Sequence, residues 1–383
     1  MNQTEWLSAE EAMSQLGVRP QTLYAYVSRG RIAAASDPTD PRRSRYRAAD
    51  VAELAGRKGR GRKAAEVAEG AIAWGEPVLT SAITTVSGGA LFYRGQDAAE
   101  LAETETLEAV ARLLRGGHGG ALKGARRDPP AADSMRRRLF LTLATRAGED
   151  PPARGRAGLA LALEAAGLLD AAADAVCGAV VKGAIHARIA ETWGCDAAGA
   201  DMIRRALVLL ADHELNASTF ATRVAASTGA SLAASALAGL AALSGPLHGG
   251  MAARVWNLIE EARRIGPEAT VAGRLARGAP VPGFGHPLYP TGDPRAAALL
   301  DAFEPPADLA TLRRTVEAAT GHAANIDFAL VALADGLKLP DDAPFAIFAV
   351  ARTAGWLAHA VEQVQTGQLI RPRARYVGPP PGQ

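Results

Sequence analysis

The sequence predicts an all-α protein in which a small basic unit precedes a larger helical body. After residue 64 the chain is rich in Ala and its apolar residues recur at intervals of three and four, whereas alternating runs typical of strands are confined to a short N-terminal piece. Residues 1–63 contain 12 Lys and Arg against 7 Asp and Glu, although the whole chain of 383 residues carries a net charge of only +2. With 48% hydrophobic residues the chain can bury a large core, so we expect a globular protein.

The basic unit begins with two predicted helices. Ser8 and Glu11 have the spacing of a capping box, which predicts a helix start, and Gly17 predicts the end of that helix. Pro20 then opens a second helix after a turn of only a few residues, as a helix-turn-helix requires.

The next stretch, DPRRSRYRAADV, surrounds Tyr46 with arginines. Together with the two helices it resembles the winged helix-turn-helix of excisionases and mercury-resistance-type regulators over residues 1–56. The resemblance implies DNA binding, with the second helix near the major groove and the wing on phosphates. The alternative is a basic module that docks on its own chain or on a partner. Residues 57–64 are expected to be a flexible basic linker. The candidate DNA contacts are Arg19 and the wing residues Arg42, Arg43, Arg45 and Arg47.

The body beyond the linker is predicted to be helical. It contains neither a P-loop nor a GxGxxG motif before a helix, which argues against nucleotide hydrolysis and dinucleotide redox chemistry. The clearest predicted helices are 106–114, 157–176, 200–211 and 352–365.

Cysteine usage and hydropathy predict a cytoplasmic protein. Cys177 and Cys195 have neither metal-ligand spacing nor the pattern of a disulfide framework, and the N-terminus lacks the basic-then-apolar pattern of a signal peptide. Residues 224–247 carry no charge over a length that could cross a bilayer, but they are mostly Ala, Ser and Gly. We therefore expect a helix buried in protein there, and no membrane association.

Polar islands interrupt the predicted helices. Singly, each has an ordinary structural explanation, because His occurs in cores, Asp can cap a helix and Arg usually faces water. The loop VPGFGHPLYPTGDPRA holds too many Pro and Gly residues for a helix, so it either tolerates change or positions something. In chain order the islands are ADHELNASTFATR with His213 and Asn216, SGPLHGG with His248, the loop 281–296 with His286 and Arg295, NIDF with Asp327, FAVARTAGWLAH with Arg352, and LIRPRARY with Arg371.

Together and in this order, these stretches resemble citrate synthase and its relative 2-methylcitrate synthase over residues 77–379. A helix-turn-helix fused to such a body also looks like a known subgroup of that family. The resemblance implies a two-domain citrate synthase fold. A large helical domain, residues 65–248 and 337–383, would be interrupted by a small domain, residues 249–336, whose closure assembles the site and excludes water.

The resemblance implies that acetyl-CoA condenses with oxaloacetate to give citrate and CoA, a reaction of the tricarboxylic acid cycle. Asp327 would be the base that removes a weakly acidic methyl proton, which a carboxylate can do only if the enolate oxygen receives a hydrogen bond in a dry site. His248 would be that donor as a neutral imidazole, with the glycines around it allowing close approach. His286 would polarise the ketone of oxaloacetate.

The resemblance also implies how the substrates bind. Oxaloacetate carries two carboxylates, which guanidinium groups bind in bidentate fashion. Arg371 would reach the partner subunit's site, so the enzyme would be a homodimer or larger. CoA is expected as a co-substrate, with no tightly bound cofactor and no metal. The implied oxaloacetate residues are His213, Asn216, Arg295, Arg352 and Arg371, and the implied CoA residues are Val281, Pro282, Gly283, Phe284 and Gly285 for the adenine end and Asn325 for the pantetheine arm.

Two alternatives stay open for the body. It could be a 2-methylcitrate synthase that uses propionyl-CoA, or part of a DNA-binding regulator that senses CoA esters or citrate without turnover. The complete set of residues favours an enzyme, since a sensor could lose Asp327 and still bind its ligand. Pro287 stands where many bacterial relatives have arginine, so contacts to the CoA phosphates are expected to be weaker or supplied elsewhere.

Overall fold

The computed structural model describes residues 6–18, 20–28, 31–37, 40, 43–52, 79–117, 126–374 and 376–379. The chain forms two compact units, Met1–Thr80 and Ser81–Gln383. Arg19, Arg42 and the predicted linker 57–64 lie outside the described residues.

Within its described residues, the N-terminal unit combines helices α1 and α2 and a further helical stretch at 48–52 with a three-stranded antiparallel sheet. The predicted capping box is present, since Glu11 N donates to Ser8 Oγ (3.2 Å) and Ser8 N donates to the Glu11 carboxylate (2.8 Å). Gly17 ends the first helix at φ 60°, a left-handed conformation that favours glycine. The elements are β1 (Trp6–Leu7), α1 (Ala9–Leu16), α2 (Pro20–Ser28), β2 (Ala34–Ser36) and β3 (Ser44–Arg47), and the strand order is β1-β3-β2.

Strand β3 separates the core of this unit from its basic surface. Tyr46 is buried in one cluster with Leu16 of α1 and Leu23 of α2. Because successive side chains of a strand point to opposite faces, Arg45 and Arg47 lie on the face away from that core.

The second unit, the body, opens with a small antiparallel sheet and continues as helices. Every described strand lies before residue 98, as the sequence predicts. The strands are β4 (Thr84–Ser87), β5 (Ala90–Tyr93) and β6 (Gln96–Asp97), in that order. The helices are α3 (Ala98–Thr104), α4 (Leu107–Leu114), α5 (Met135–Glu149), α6 (Gly158–Cys177), α7 (Ile185–Thr192), α8 (Ala197–Leu209), α9 (Ala217–Ser227), α10 (Leu232–Leu243), α11 (Met251–Ile265), α12 (Pro267–Ala276), α13 (Pro294–Leu300), α14 (Ala307–Thr320), α15 (Ile326–Gly336) and α16 (Ala343–Thr366).

Helix α16 lies at the centre of the body. Its 24 residues are nearly all buried, and it packs against α4, α6, α9 and α10. At two places another segment packs so closely against α16 that only glycine fits. A Cβ on Gly239 of α10 would lie 2.8 Å from the ring of Trp356, and a Cβ on Gly355 would collide with the carboxylate of Asp212. By length and composition α16 could cross a membrane, with a mean hydropathy of 1.2, but it is buried within the body as its core helix.

The uncharged segment 224–247 is not the single buried helix that its composition suggests. Helix α9 ends at Ser227, Gly229 adopts φ 86°, and Ser231 caps α10 by accepting a hydrogen bond from Ala234 N (3.2 Å). The glycine and the serine cap therefore divide the segment into two helices. The expected burial is correct for most of α10. The domain boundaries at residues 248 and 336 remain predictions.

Candidate active site

The predicted loop 281–296 is a loop only as far as Asp293, because Asp293 caps α13 and Pro294 begins that helix, and the loop is held against the start of α15. Gly285 N donates to Ala323 O (2.8 Å), and Asn325 Nδ2 donates to Gly285 O (3.0 Å). Gly283 has φ 86°, and a Cβ there would lie only 3.0 Å from a methyl carbon of Val255, so the loop needs glycine both for conformation and for space. These contacts fix the backbone immediately before His286.

The hydrogen bonding of His286 makes its Nε2 the donor of the neutral ring. Its Nδ1 accepts a hydrogen bond from Leu288 N (3.2 Å), so in the neutral ring the proton is on Nε2. Burial, reinforced by the nearby charge of Arg295, lowers the pKa of His286 to about 4. The imidazole is therefore neutral at pH 7.

His213 lies beside His286. We use the term active-site cluster for His213, His248, His286, Arg295, Asp327 and Arg352 together with the side chains that contact them. The two rings lie 5.2 Å apart and nearly perpendicular, and His213 Nε2 is 2.9 Å from the hydroxyl of Tyr289. Burial, with Arg295 and Arg352 adding to it, holds the pKa of His213 well below its ordinary value, while burial raises the pKa of Tyr289 to about 12. Both groups are consequently neutral at pH 7.

Arg295 is buried and already paired within the chain. Its Nε and Nη2 donate to the two carboxylate oxygens of Asp293 at 2.9 and 2.8 Å, and Asp293 also accepts from Ile326 N (3.0 Å). Burial alone would raise the pKa of Asp293, but Arg295 holds it below its ordinary value. This pair occupies Nε and Nη2 of Arg295 and does not use Nη1.

Arg352 has a donor with no partner. The residue is 1% exposed; its Nε donates to Leu210 O (3.0 Å), and its guanidinium lies 4.8 Å from the centre of the Phe348 ring. Its Nη2 is buried and has no hydrogen-bond partner in the part of the chain that the structure describes. Because an unsatisfied buried donor is costly, this geometry indicates a site for an anionic ligand.

Asp327 lies in the first turn of α15, where the Asn325 side chain caps the helix by accepting a hydrogen bond from Asp327 N (3.0 Å). Burial raises the pKa of Asp327 to about 7, although Arg295 opposes the shift. A carboxylate with this pKa is a stronger base than an ordinary aspartate.

His248 shares a hydroxyl with two other side chains. Its Nε2 lies 2.9 Å from Ser218 Oγ, which accepts a hydrogen bond from Trp356 Nε1 (3.1 Å) and donates its own proton to Asn216 Oδ1 (2.7 Å). Burial, with Arg352 next in effect, lowers the pKa of His248 to about 4. Its glycine neighbours serve the local turn, because a Cβ on Gly250 would lie 2.7 Å from Gly245 O.

Sequence comparison assigns the family. A family model for the citrate synthase C-terminal domain matches residues 171–373, which is more than half of the chain. The chain belongs to the citrate synthase family. A helix-turn-helix domain model matches residues 6–59, so the N-terminal unit of this citrate synthase family member is also of the predicted type.

Two curated relatives in this family carry different names. "Putative citrate synthase 2" of Mycobacterium tuberculosis is 42% identical over 190 residues, covering 45% of this chain and 50% of the relative. "2-methylcitrate synthase 1" of Corynebacterium glutamicum is 34% identical over 199 residues, covering 48% and 52%. The chain therefore spans about half the length of the curated relatives it matches.

Solved structures confirm the citrate synthase fold. Citrate synthase from Thermotoga maritima matches with a TM-score of 0.63 and 28% identity, over 80% of this chain and 94% of that one. The enzyme from Thermoplasma acidophilum, solved with carboxymethyl coenzyme A and oxaloacetate, matches with a TM-score of 0.64 and 23% identity, over 80% and 95%. The latter identity supports a likeness of fold alone.

The structure brings most of the predicted site residues of this family member together, with two differences. Asn216 uses its side chain to cap α9, accepting from Ser218 N and Thr219 N, so its contact with substrate remains a prediction. Arg371 is exposed in the segment after α16 and makes no contact with the cluster within the described chain, so its role in a partner subunit also remains a prediction.

Sequence reasoning missed four residues of the cluster: Ser218, Tyr289, Asp293 and Trp356. Only Asp293 had a local signal, because an Asp before Pro is a typical helix cap and stands two residues from Arg295. The other three contact residues more than 25 positions away, which no local pattern reports. Within the described ranges, no group of three or more His, Cys, Asp or Glu side chains is arranged to hold a metal ion.

Three of the four predicted wing arginines are described by the structure, and each is paired with an aspartate. Arg45 contacts Asp37 at 2.8 Å, and Arg47 contacts Asp50 at 2.6 Å. Arg43 lies 3.4 Å from Asp40 in a more exposed pair. A phosphate that binds here has to share or replace these carboxylates.

Proposed function

We propose that the body condenses acetyl-CoA with oxaloacetate to give citrate and CoA. The observation that carries this proposal is the buried, unpartnered Nη2 of Arg352, which calls for a carboxylate. The cluster around it holds a second buried arginine and three neutral histidines, a composition suited to a dicarboxylate whose ketone must be polarised.

In the proposed reaction, Asp327 takes a proton from the methyl group of the thioester. His248 donates a hydrogen bond to the developing enolate oxygen, and the enolate carbon attacks the ketone of oxaloacetate, whose oxygen is polarised by Nε2–H of His286. The new carbon–carbon bond leaves the ketone oxygen as an alkoxide, which takes the Nε2 proton of His286 and becomes an alcohol, while the proton that Asp327 removed returns to the imidazole through water. Water then adds its oxygen to the acyl carbon and a proton to the sulfur, which cleaves the thioester and releases CoA. For Nδ1 of His248 to carry the proton and donate, the single hydroxyl proton of Ser218 has to turn from Asn216 Oδ1, to which it donates here, to Nε2 of His248.

We infer the following binding roles. Nη1 of Arg295, Nη2 of Arg352 and His213 bind oxaloacetate, and Arg371 of each subunit completes the site of a partner in a homodimer or larger assembly. The backbone of residues 281–285 receives the adenine end of CoA and Asn325 its pantetheine arm; CoA is a co-substrate, and no tightly bound cofactor is proposed. The absence of disulfide spacing supports a cytoplasmic location.

A thiol-release assay with acetyl-CoA and oxaloacetate tests the enzyme. Release of free thiol that depends on both substrates supports it, whereas calorimetric binding of either ligand without any thiol release favours the ligand-sensing regulator. The curated relative named 2-methylcitrate synthase keeps propionyl-CoA as a second candidate substrate.

For the N-terminal unit we propose DNA binding. The helix-turn-helix match and the arginines of β3 support this role, with α2 near the major groove and the wing on phosphates.

A further inference from the structure

The three-residue segment Leu210–Asp212 lies along one face of α16. Leu210 O accepts from Arg352 Nε (3.0 Å), and Ala211 O accepts from Gly355 N (3.0 Å). Asp212 Oδ2 lies 3.2 Å from His359 Nε2. Because Arg352, Gly355 and His359 are spaced by three and four residues, they lie on the same side of the helix. The next residue of the segment is His213, which enters the active-site cluster.

Gly355 allows this segment to approach the helix. The carboxylate of Asp212 occupies the space that any side chain at position 355 would fill. Asp212 is completely buried, and among the described residues its Oδ1 has no hydrogen-bond partner of normal geometry, although the Thr84 side chain lies nearby. His359 is therefore the donor that holds the carboxylate in place. A buried carboxylate that lost this donor would have to move or take up a proton.

His359 is itself fixed in one tautomer. Arg223 Nη1 donates to His359 Nδ1 (3.2 Å), and an arginine can only donate, so His359 must carry its proton on Nε2, facing Asp212. Arg223 in turn pairs with Glu362 at 2.6 Å, whose other oxygen accepts from Ala82 N (2.9 Å). The line of contacts from Glu362 through Arg223 and His359 to Asp212 is buried over most of its length.

We propose that His359 is a positioning residue for the dicarboxylate substrate: by holding Asp212 with its Nε2–H, it places His213 and the carbonyl that orients Arg352. The inference rests on the proposed function of the body, because it names oxaloacetate as the ligand whose affinity depends on the contact. It assigns His359 no contact with substrate. The reaction steps themselves are unchanged by it.

Two substitutions separate the two nitrogens of His359. In His359→Gln the amide nitrogen replaces Nε2 and keeps the bond to Asp212, whereas in His359→Asn the shorter side chain replaces Nδ1 and keeps only the contact with Arg223. We expect oxaloacetate to bind about tenfold or more weakly to His359→Asn, since small displacements of binding groups have effects of this size, and within about threefold of wild type to His359→Gln. The KM for acetyl-CoA should stay nearly constant in both.

The matched control is Asp174→Asn, which alters an equally buried carboxylate in a remote ion pair with Arg188 (2.8 Å). It should change thermal stability and leave oxaloacetate binding unchanged. Oxaloacetate affinity that is unchanged in His359→Asn, or that falls equally in His359→Gln or in the Asp174→Asn control, would overturn the proposal. Failure of the wild-type protein to bind oxaloacetate by calorimetry would instead overturn the proposed function, and this inference with it.

A measurement on the wild-type protein requires no variant to fold. In ¹⁵N NMR of the histidine side chains, His359 should show a protonated Nε2 and an unprotonated Nδ1, and its Nε2 signal should shift when oxaloacetate is added. The other tautomer, or a signal that does not respond to bound oxaloacetate, would contradict the positioning role.

Discussion

Asp293 and Arg295 form a buried, bidentate ion pair with distances of 2.8 and 2.9 Å. The aspartate occupies Nε and Nη2 of the guanidinium and also accepts a hydrogen bond from the start of α15, so it ties the loop 281–296 to the helix that carries Asp327. Arg295, one of the two arginines proposed to bind oxaloacetate, is thus held in place by the protein itself, whereas Nη2 of Arg352 has no partner among the described residues.

Removing the carboxylate of Asp293 should destabilise the folded protein. We expect Asp293→Asn to lower the free energy of unfolding by about 3 to 5 kcal/mol, because it leaves the Arg295 charge buried without compensation. Denaturant unfolding measures the change. The control is Asp301→Asn, at the exposed end of α13, the helix that Asp293 caps. A loss no greater than that of the control would show that the pair is not structural.

The role of Asp327 as the base predicts a specific pattern. Asp327→Asn should lower kcat by about a hundredfold or more, the usual effect of losing a general base, and leave oxaloacetate binding nearly intact. Thiol release and calorimetry on the same preparation give both values. Turnover that stays within about tenfold of wild type would remove Asp327 from this role.

The raised pKa of Asp327 also predicts the direction of the pH dependence. The base must be ionised, and burial raises its pKa to about 7, so kcat should rise with pH through about 7 and level off above it. His248 and His286 are not expected to shape this region, because their pKa values near 4 keep them neutral throughout it. A pH–rate profile that is flat between pH 6 and 8 would contradict the assignment.

The choice of acyl group is tested by comparing kcat/KM for acetyl-CoA and propionyl-CoA. One methylene is worth only about 1 to 3 kcal/mol of discrimination, so both thioesters are expected to react, with acetyl-CoA preferred. A clear preference for propionyl-CoA would make the protein a 2-methylcitrate synthase.

DNA binding by the full chain should depend steeply on salt if interactions with phosphates dominate. Replacing Arg43, Arg45 and Arg47 together by alanine should flatten that dependence, by about 0.9 in logarithmic slope for each phosphate that is no longer neutralised. Anisotropy titrations against genomic fragments at several salt concentrations provide the slopes.

The control for this titration is a second triple variant with the same change in charge, at Arg127, Arg137 and Arg314 on the surface of the body. It should leave the slope unchanged. Failure of the wild-type chain to bind any fragment at low salt would leave the N-terminal unit as a docking module.

Local signals in the sequence predicted much of this protein. The capping box at Ser8 and Glu11 and the glycine at 17 depend on neighbours within a few residues, and the structure contains them. Likewise, the density of Pro and Gly in 281–296 was enough to predict a loop around His286, although its last three residues begin α13. The prediction of a single helix at 224–247 was wrong for a related reason. In an uncharged run of small residues the periodicity carries little information, and only Gly229 and Ser231 mark where one helix ends and the next begins.

By itself, then, the sequence determined the order of the elements and the residue types of the candidate site. Only the tertiary structure decided that Arg295 is paired and Arg352 is not, that His286 carries its proton on Nε2, and that the pKa of Asp327 is near 7. These properties depend on burial and on distances between groups far apart in the chain, such as the 2.9 Å between His213 and Tyr289. Charge states in a protein interior are set by such contacts and by the loss of water, neither of which a local pattern encodes.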